Sequence, residues 1–145
     1  MYRRILVPTD GTELSAVALD TALRLARLGN ATVVAVHASP PPYLMAPELG
    51  PAAPFHQAWL DEREQQAQDA LAYVRRRGLE TGVACETLLV HDMAPWEAVI
   101  QTARDQVCDL IVMATHGRGS IAARLIGSET AKVLTHSAIP VLVVR

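Results

Sequence analysis

The sequence predicts an α/β domain, a single doubly wound five-stranded parallel sheet with helices on both faces. Three observations carry this. Short apolar runs such as Ile5-Leu6-Val7 and Leu110-Ile111-Val112 do not alternate with polar residues, as strands buried on both faces require. Between such runs lie longer segments with apolar residues at helical spacing. The resulting order is β-α-β-α-β-α-β-α-β, with no internal repeat, and right-handed crossovers leave few ways to arrange it. At 145 residues, 50% hydrophobic and 19% charged, the chain fits one domain, residues 1–145.

The first strand is Ile5-Leu6-Val7, ended by Pro8-Thr9-Asp10-Gly11. Thr12 can cap a helix whose apolar side uses Leu14, Val17, Ala18, Leu25 and Leu28, and Gly29-Asn30 ends it. Ala31 to Ala38 is the second strand. Six of the nine prolines then fall between Pro40 and Pro54. Proline lacks a donor and fixes its own φ, so this stretch reads as a loop or a stiff flap. A second helix carries Leu60, Ala67, Leu71 and Val74, with Arg75-Arg76-Arg77 in its last turn and Gly78 as its stop. Val83 to Val90 is the third strand. Pro95 suits a first helical turn, continued by Trp96 to Arg104. Leu110 to Ala114 is the fourth strand, Ser128 to His136 the last helix, and Pro140 to Val144 the fifth strand.

Composition excludes several functions. A net charge of -2 gives no general pull toward nucleic acid or an anionic membrane, and 4% aromatics argue against base-stacking platforms. No apolar run is long enough to span a bilayer, and the opening Met1-Tyr2-Arg3-Arg4-Ile5 leads straight into a strand, without the pattern of a signal peptide. Cys85 and Cys108 lie far apart in apolar company, which suits reduced thiols and a cytoplasmic setting. The five histidines show no metal-ligand spacing, and His37, near the end of a buried strand, reads as a satisfied core residue.

In open parallel sheets, ligands bind beyond the carboxyl ends of the strands, where strand order reverses. The residues placed there are Pro8, Thr9 and Asp10, then Ala38, then His91 and Asp92, then Ala114 to Ser120. Polar and glycine residues thus converge on one rim. A helix N-terminus at Gly127-Ser128 presents unpaired N–H groups and a partial positive charge. Gly117 and Gly119 let backbone amides turn inward as a nest for phosphate. The residues alone fit either a bare turn or a phosphate cradle. Neither a P-loop nor the dinucleotide fingerprint is present: the only lysine is Lys132, and "PTDGTELS" has one glycine. A phosphoacceptor site would use Asp10, Asp92 and Thr115, but the second acid beside the first and the lysine after the fifth strand are missing.

Together these segments resemble the universal stress protein family. "RRILVPTDGTELSAVALDTALRLA" is similar to its opening strand and helix, and "DLIVMATHGRGSIAARLIGSETAKVLTHSAIPVLVV" to its closing half. The family's ATP-binding members carry Gly-x2-Gly-x9-Gly-Ser/Thr. Here Gly117, nine residues and Gly127-Ser128 match, and Ala114 replaces the first glycine.

The resemblance implies a Rossmann-like layout, related to the adenine nucleotide alpha hydrolases. It also implies an adenine nucleotide site, for ATP or for ADP or AMP, with Mg²⁺ bridging the phosphates. Asp10, beside Pro8 and Thr9, would meet the ribose or adenine edge, and the backbone of Ala38 the adenine. Met113, Ala114, Thr115, His116, Gly117, Arg118, Gly119 and Ser120 would wrap the ribose and phosphates. Gly127, Ser128, Glu129 and Thr130 would offer N–H groups and hydroxyls to the phosphates. Ala114 predicts weakened rather than lost binding. Glu129 puts a carboxylate beside the phosphates, repulsive unless a cation intervenes or the side chain turns away; acids in a first helical turn also simply favour the dipole. The resemblance further implies a regulatory stress protein, a homodimer paired along Val141, Leu142, Val143 and Val144, with other protein partners unnamed. The alternatives are a member acting through protein contacts alone, and a slow ATP hydrolase. No residue reads as a catalytic base, so dedicated catalysis is not expected.

Overall fold

The computed structural model describes residues 1–39, 56–92, 94–115 and 126–145. The elements are β1 (Arg4–Pro8), α1 (Glu13–Gly29), β2 (Thr32–Ser39), α2 (His56–Thr81), β3 (Cys85–His91), α3 (Pro95–Asp105), β4 (Leu110–Ala114), α4 (Ser128–His136) and β5 (Val141–Val144). All four ladders are parallel, in the order β3-β2-β1-β4-β5. The predicted doubly wound sheet is therefore the one observed.

The unbroken apolar runs have a direct cause. Successive side chains of a strand point to opposite faces, and here both faces are covered. Ile5, Val7, Val33, Ala35 and Val112 pack under α1 and α2 with Leu19, Leu23 and Val74. Leu6, Val34, Val36 and Ile111 pack under α3 and α4 with Val99, Ile100 and Val133. The chain leaves β1 toward β2 and β3, then returns through α3 to β4 on the other side. β1 and β4 are thus neighbours whose connections diverge, and their carboxyl ends open a crevice.

Several expected details are corrected. The buried face of α1 is Ser15, Ala18, Leu19, Ala22, Leu23 and Ala26, whereas Val17 and Leu28 are exposed. Of the expected residues, Ala18 is buried and Leu25 packs against the core, while Leu19, Ala22, Leu23 and Ala26 complete the inner face. Thr12 and Asn30 cap α1 as expected, Asn30 with φ 52°. Gly78 does not stop α2, which runs on to Thr81 and has no basic residue in its last turn. Gly78 is buried, and a Cβ there would lie 2.6 Å from Cys85 Sγ, so this glycine permits close approach of helix and strand. Gly82, at φ +69°, makes the turn instead.

Arg77 uses its place inside α2 to bond Asp20 of α1 at 2.8 Å and Glu80 at 2.7 Å. Val83 still belongs to the turn, its amide donating to Gly78 O at 3.0 Å, so β3 begins two residues later than expected. The Ala31 amide likewise donates to Ala26 O, 2.9 Å, leaving β2 to start at Thr32.

The proline-rich stretch at 40–55 and the segment 116–125 lie outside the described residues. Among the described residues no helix is long and apolar enough to cross a membrane. Both cysteines are free; burial pushes the Cys108 thiol up to about 11 and raises that of Cys85.

Candidate functional site

The crevice beyond β1 and β4 is a cleft of about 440 Å³, within the range of about 300–1,000 Å³ usual for small-molecule sites. Its first wall is the turn from β1 to α1. The Thr9 amide donates to Val36 O at 2.9 Å, extending the ladder by one residue, and the Thr9 hydroxyl donates to Ser15 Oγ at 3.3 Å. Asp10 then folds back on the chain. Its Oδ1 accepts from the Thr12 amide at 3.0 Å and from the Thr12 hydroxyl at 2.6 Å. Gly11, at φ +80°, allows this tight Asx turn. Thr12 in turn accepts from the Ser15 amide, 3.3 Å, and caps α1. Partial burial pushes the Asp10 pKa up, but the hydrogen bonds from Thr12 and Ser15 outweigh it, and the carboxyl stays below its ordinary value. The site therefore holds a fixed carboxylate at neutral pH.

The opposite wall is β4 and α4. Ala114 pairs with Val144, and the buried Thr115 donates its amide to Val144 O at 2.9 Å. The Thr130 hydroxyl donates to Ala114 O at 3.3 Å, tying the first turn of α4 to the end of β4. Gly127 is the N-cap of α4 and offers no side chain to the helix. The first backbone bond of the helix runs from the Ala131 amide to Gly127 O, 2.9 Å. The amides of Ser128, Glu129 and Thr130 therefore precede the helix's own ladder and are its anion-attracting end.

All the described residues expected at the site line this cleft: Pro8, Thr9, Asp10, Ala38, Met113, Ala114, Thr115, Gly127, Ser128, Glu129 and Thr130. His116, Gly117, Arg118, Gly119 and Ser120 lie outside the described residues.

Glu129 is arranged in a way the sequence did not reveal. Its Oε2 accepts from the Trp96 amide at 3.0 Å, and its Oε1 sits 3.2 Å from Lys132 Nζ. The carboxylate is thus engaged by the first turn of α3. Pro95, Trp96 and Val99 of α3 also line the cleft, as do Thr12, Leu14, Ser15 and Val36. None of these was expected there. The signal available for Trp96 was its rarity, one of two tryptophans, at the start of a helix.

Other candidates fall apart. β3 is an outer strand, with β2 between it and β1, so Asp92 is not beside Asp10. Asp92 instead accepts from the Ala94 amide, 3.0 Å, at the entry to α3. A phosphoacceptor arrangement of Asp10, Asp92 and Thr115 is therefore not formed. His37 is half-buried and satisfied in part: it hydrogen-bonds with the Thr9 backbone, its Nδ1 is buried without a partner among the described residues, and burial lowers its pKa. Val141 to Val144 form the outer strand beside β4, with Leu142 37% exposed.

This strand order opens a cleft at the switch point, where open parallel sheets offer room for a ligand, and the N-terminus of α4 faces it. The model of the universal stress protein family matches residues 1–145, and the chain belongs to that family. It is 33% identical over 145 residues to a universal stress protein of Thermus aquaticus, covering all of both chains. It is 30% identical over 146 residues to universal stress protein MJ0531 of Methanocaldococcus jannaschii, covering all of this chain and 83% of that one. Among solved structures, that of protein MJ0577 superposes with a TM-score of 0.81 at 26% identity, covering 99% of this chain and 96% of the other. A universal stress protein in complex with cAMP superposes with a TM-score of 0.74 at 28% identity, covering 99% and 97%.

Proposed function

We propose that this universal stress protein binds an adenine nucleotide in the cleft beyond β1 and β4, and acts as a regulatory stress-response protein. The observation that carries the reading is the opposition of two features across one cleft. A fastened carboxylate, Asp10, stands on one side. The N-terminal amides of α4, whose N-cap Gly127 supplies no side-chain bond, stand on the other. Apolar Val36, Ala38, Val99 and Met113 lie among the lining residues, suited to a flat base. The complex of a 28% identical family member with cAMP supports an adenine nucleotide as the ligand class.

In this reading the base packs on the apolar wall, and Asp10 accepts from a ribose hydroxyl. The amides of Ser128, Glu129 and Thr130, with the Ser128 hydroxyl, receive phosphate oxygens. ATP is the ligand the sequence motif favours. The described carboxylates of the cleft, Asp10 and Glu129, already accept hydrogen bonds from the chain. Mg²⁺ would therefore be held through the phosphates rather than by a protein ligand cage, and would offset their charge. Dimerisation along β5 belongs to the same proposal.

The test is Gly127→Val. Gly127 has φ -56°, a value a β-branched residue accepts, so backbone strain does not cloud the result. The variant places a side chain at the phosphate-facing cap. Calorimetry should show ATP binding reduced to the level of adenosine, with adenosine unchanged. Unaltered ATP binding by this variant would remove the phosphates from α4.

A further inference from the structure

Trp96 touches α4 near both of its ends. Its backbone amide donates to Glu129 Oε2 at 3.0 Å, one residue into the helix. Its indole lies 4.7 Å from the imidazole of His136, the last residue of α4, with the rings tilted by 31°. Glu129 and His136 are seven positions apart, about two helical turns, so both lie on the face of α4 turned to α3. Val133, fully buried, sits between them on that face. The same Trp96 lines the cleft.

The start of α3 explains why Glu129 is drawn in. Ala94 is its N-cap and supplies no side-chain bond. Pro95 has no amide hydrogen, so the Trp96 amide is among the first donors of the helix that need a partner. Glu129 fills the missing cap from another element, 33 residues away. Lys132 holds its other oxygen.

The geometry points to Glu129 as a positioning residue: it fixes the phosphate-facing end of α4 against α3 through the Trp96 amide, rather than acting on the phosphates. This rests on the nucleotide reading above for its functional half. Direct repulsion would make Glu129 an obstacle to binding, whereas a carboxylate spent on α3 makes it a support. Loss of the bond frees the first turn of α4 and leaves a helix donor unpaired. Affinity for the phosphate should then fall while affinity for the nucleoside does not.

The experiment uses the full chain with Trp59→Phe, so that Trp96 is the only tryptophan. Glu129→Gln and Glu129→Ala are made in that background. Glutamine retains an acceptor oxygen without the charge; alanine retains neither. AMP and adenosine are titrated by calorimetry, and exchange of the Trp96 amide is followed without ligand. The expected order of AMP affinity is Glu, then Gln, then Ala, with Ala weakened about fivefold, the low end of ordinary coupling between sites. Adenosine affinity stays level across the series. The Trp96 amide exchanges faster in Glu129→Ala, and AMP alters Trp96 emission less in that variant than in its parent. Tighter AMP binding by both variants would establish repulsion and overturn the proposal. An unchanged Trp96 amide would overturn it as well. If the parent protein binds neither AMP nor adenosine, the nucleotide reading fails and takes the phosphate half with it. The exchange measurement, made without ligand, then still decides whether Glu129 holds α3.

Discussion

Replacing Asp10 by alanine removes more than a ligand contact. The carboxylate accepts from the Thr12 amide at 3.0 Å and from the Thr12 hydroxyl at 2.6 Å, and Thr12 is the cap of α1. A hydrogen bond to a charged group contributes about 1.5–3 kcal/mol when shielded from water. Asp10 lines the cleft but keeps a large part of its surface in solvent, so screening reduces the pair to a total of about 1–2 kcal/mol. For a domain of this size the expected fall in Tm is about 3–6 °C.

The pH dependence has a definite sign. The folded-state pKa of Asp10 is depressed, so the unfolded chain binds the proton more tightly. Its contribution is complete above the unfolded value, about 3.9, and drains away as pH falls from there through the folded value. Urea unfolding of wild type and Asp10→Ala at pH 7, and again below pH 3, is the assay. The two proteins should differ at pH 7 and converge in acid. A difference of the same size at both pH values would refute the argument, since it would then owe nothing to the ionised carboxyl.

Two further outcomes follow from packing and from the sheet edge. Gly78→Ala forces a methyl group to 2.6 Å from Cys85 Sγ and 3.0 Å from Val83 O, and should destabilise the fold by about 1–3 kcal/mol in thermal unfolding, in the manner of other overpacked sites; an unchanged Tm would mean that α2 and β3 are not in close contact. On β5, Pro140 O and Val144 O accept from Ile111 and Thr115, so by strand alternation the Val143 amide faces the open edge. Val143→Pro therefore removes a donor from the edge and leaves the ladder to β4 intact, and should shift the proposed dimer to monomer in sedimentation; a wild type that is itself monomeric at micromolar concentration would dismiss the dimer.

How legible the molecule was depended on whether a feature is local. β4 and α4 were read with their observed bounds because an apolar run and a Gly-Ser cap announce themselves in adjacent residues. The cleft residues of β1, β4 and α4 followed from the rule that ligands meet strand ends at a switch point. The inner face of α1 was read in part: Ala18 lies on it and Leu25 packs at its side, but Val17 and Leu28 face solvent, and Leu19, Ala22, Leu23 and Ala26 take the inward positions, because the sheet beneath and not hydrophobicity alone sets the helix rotation. Gly78 looked like a terminator because a helix interior disfavours glycine; its reason is a strand contact invisible to local pattern. Trp96 and the partner of Glu129 required the order of strands, since only the return of the chain from β3 to β4 carries the start of α3 beside α4.

In the proposed complex the N-terminal amides of α4 face the phosphates of an adenine nucleotide. Calorimetric titration of the wild-type protein with ATP, with Mg²⁺ present, and with adenosine compares the ligand with and without those phosphates. Both should bind, and ATP should bind more tightly. Equal affinity for the two, or no binding of either by folded protein, would contradict it.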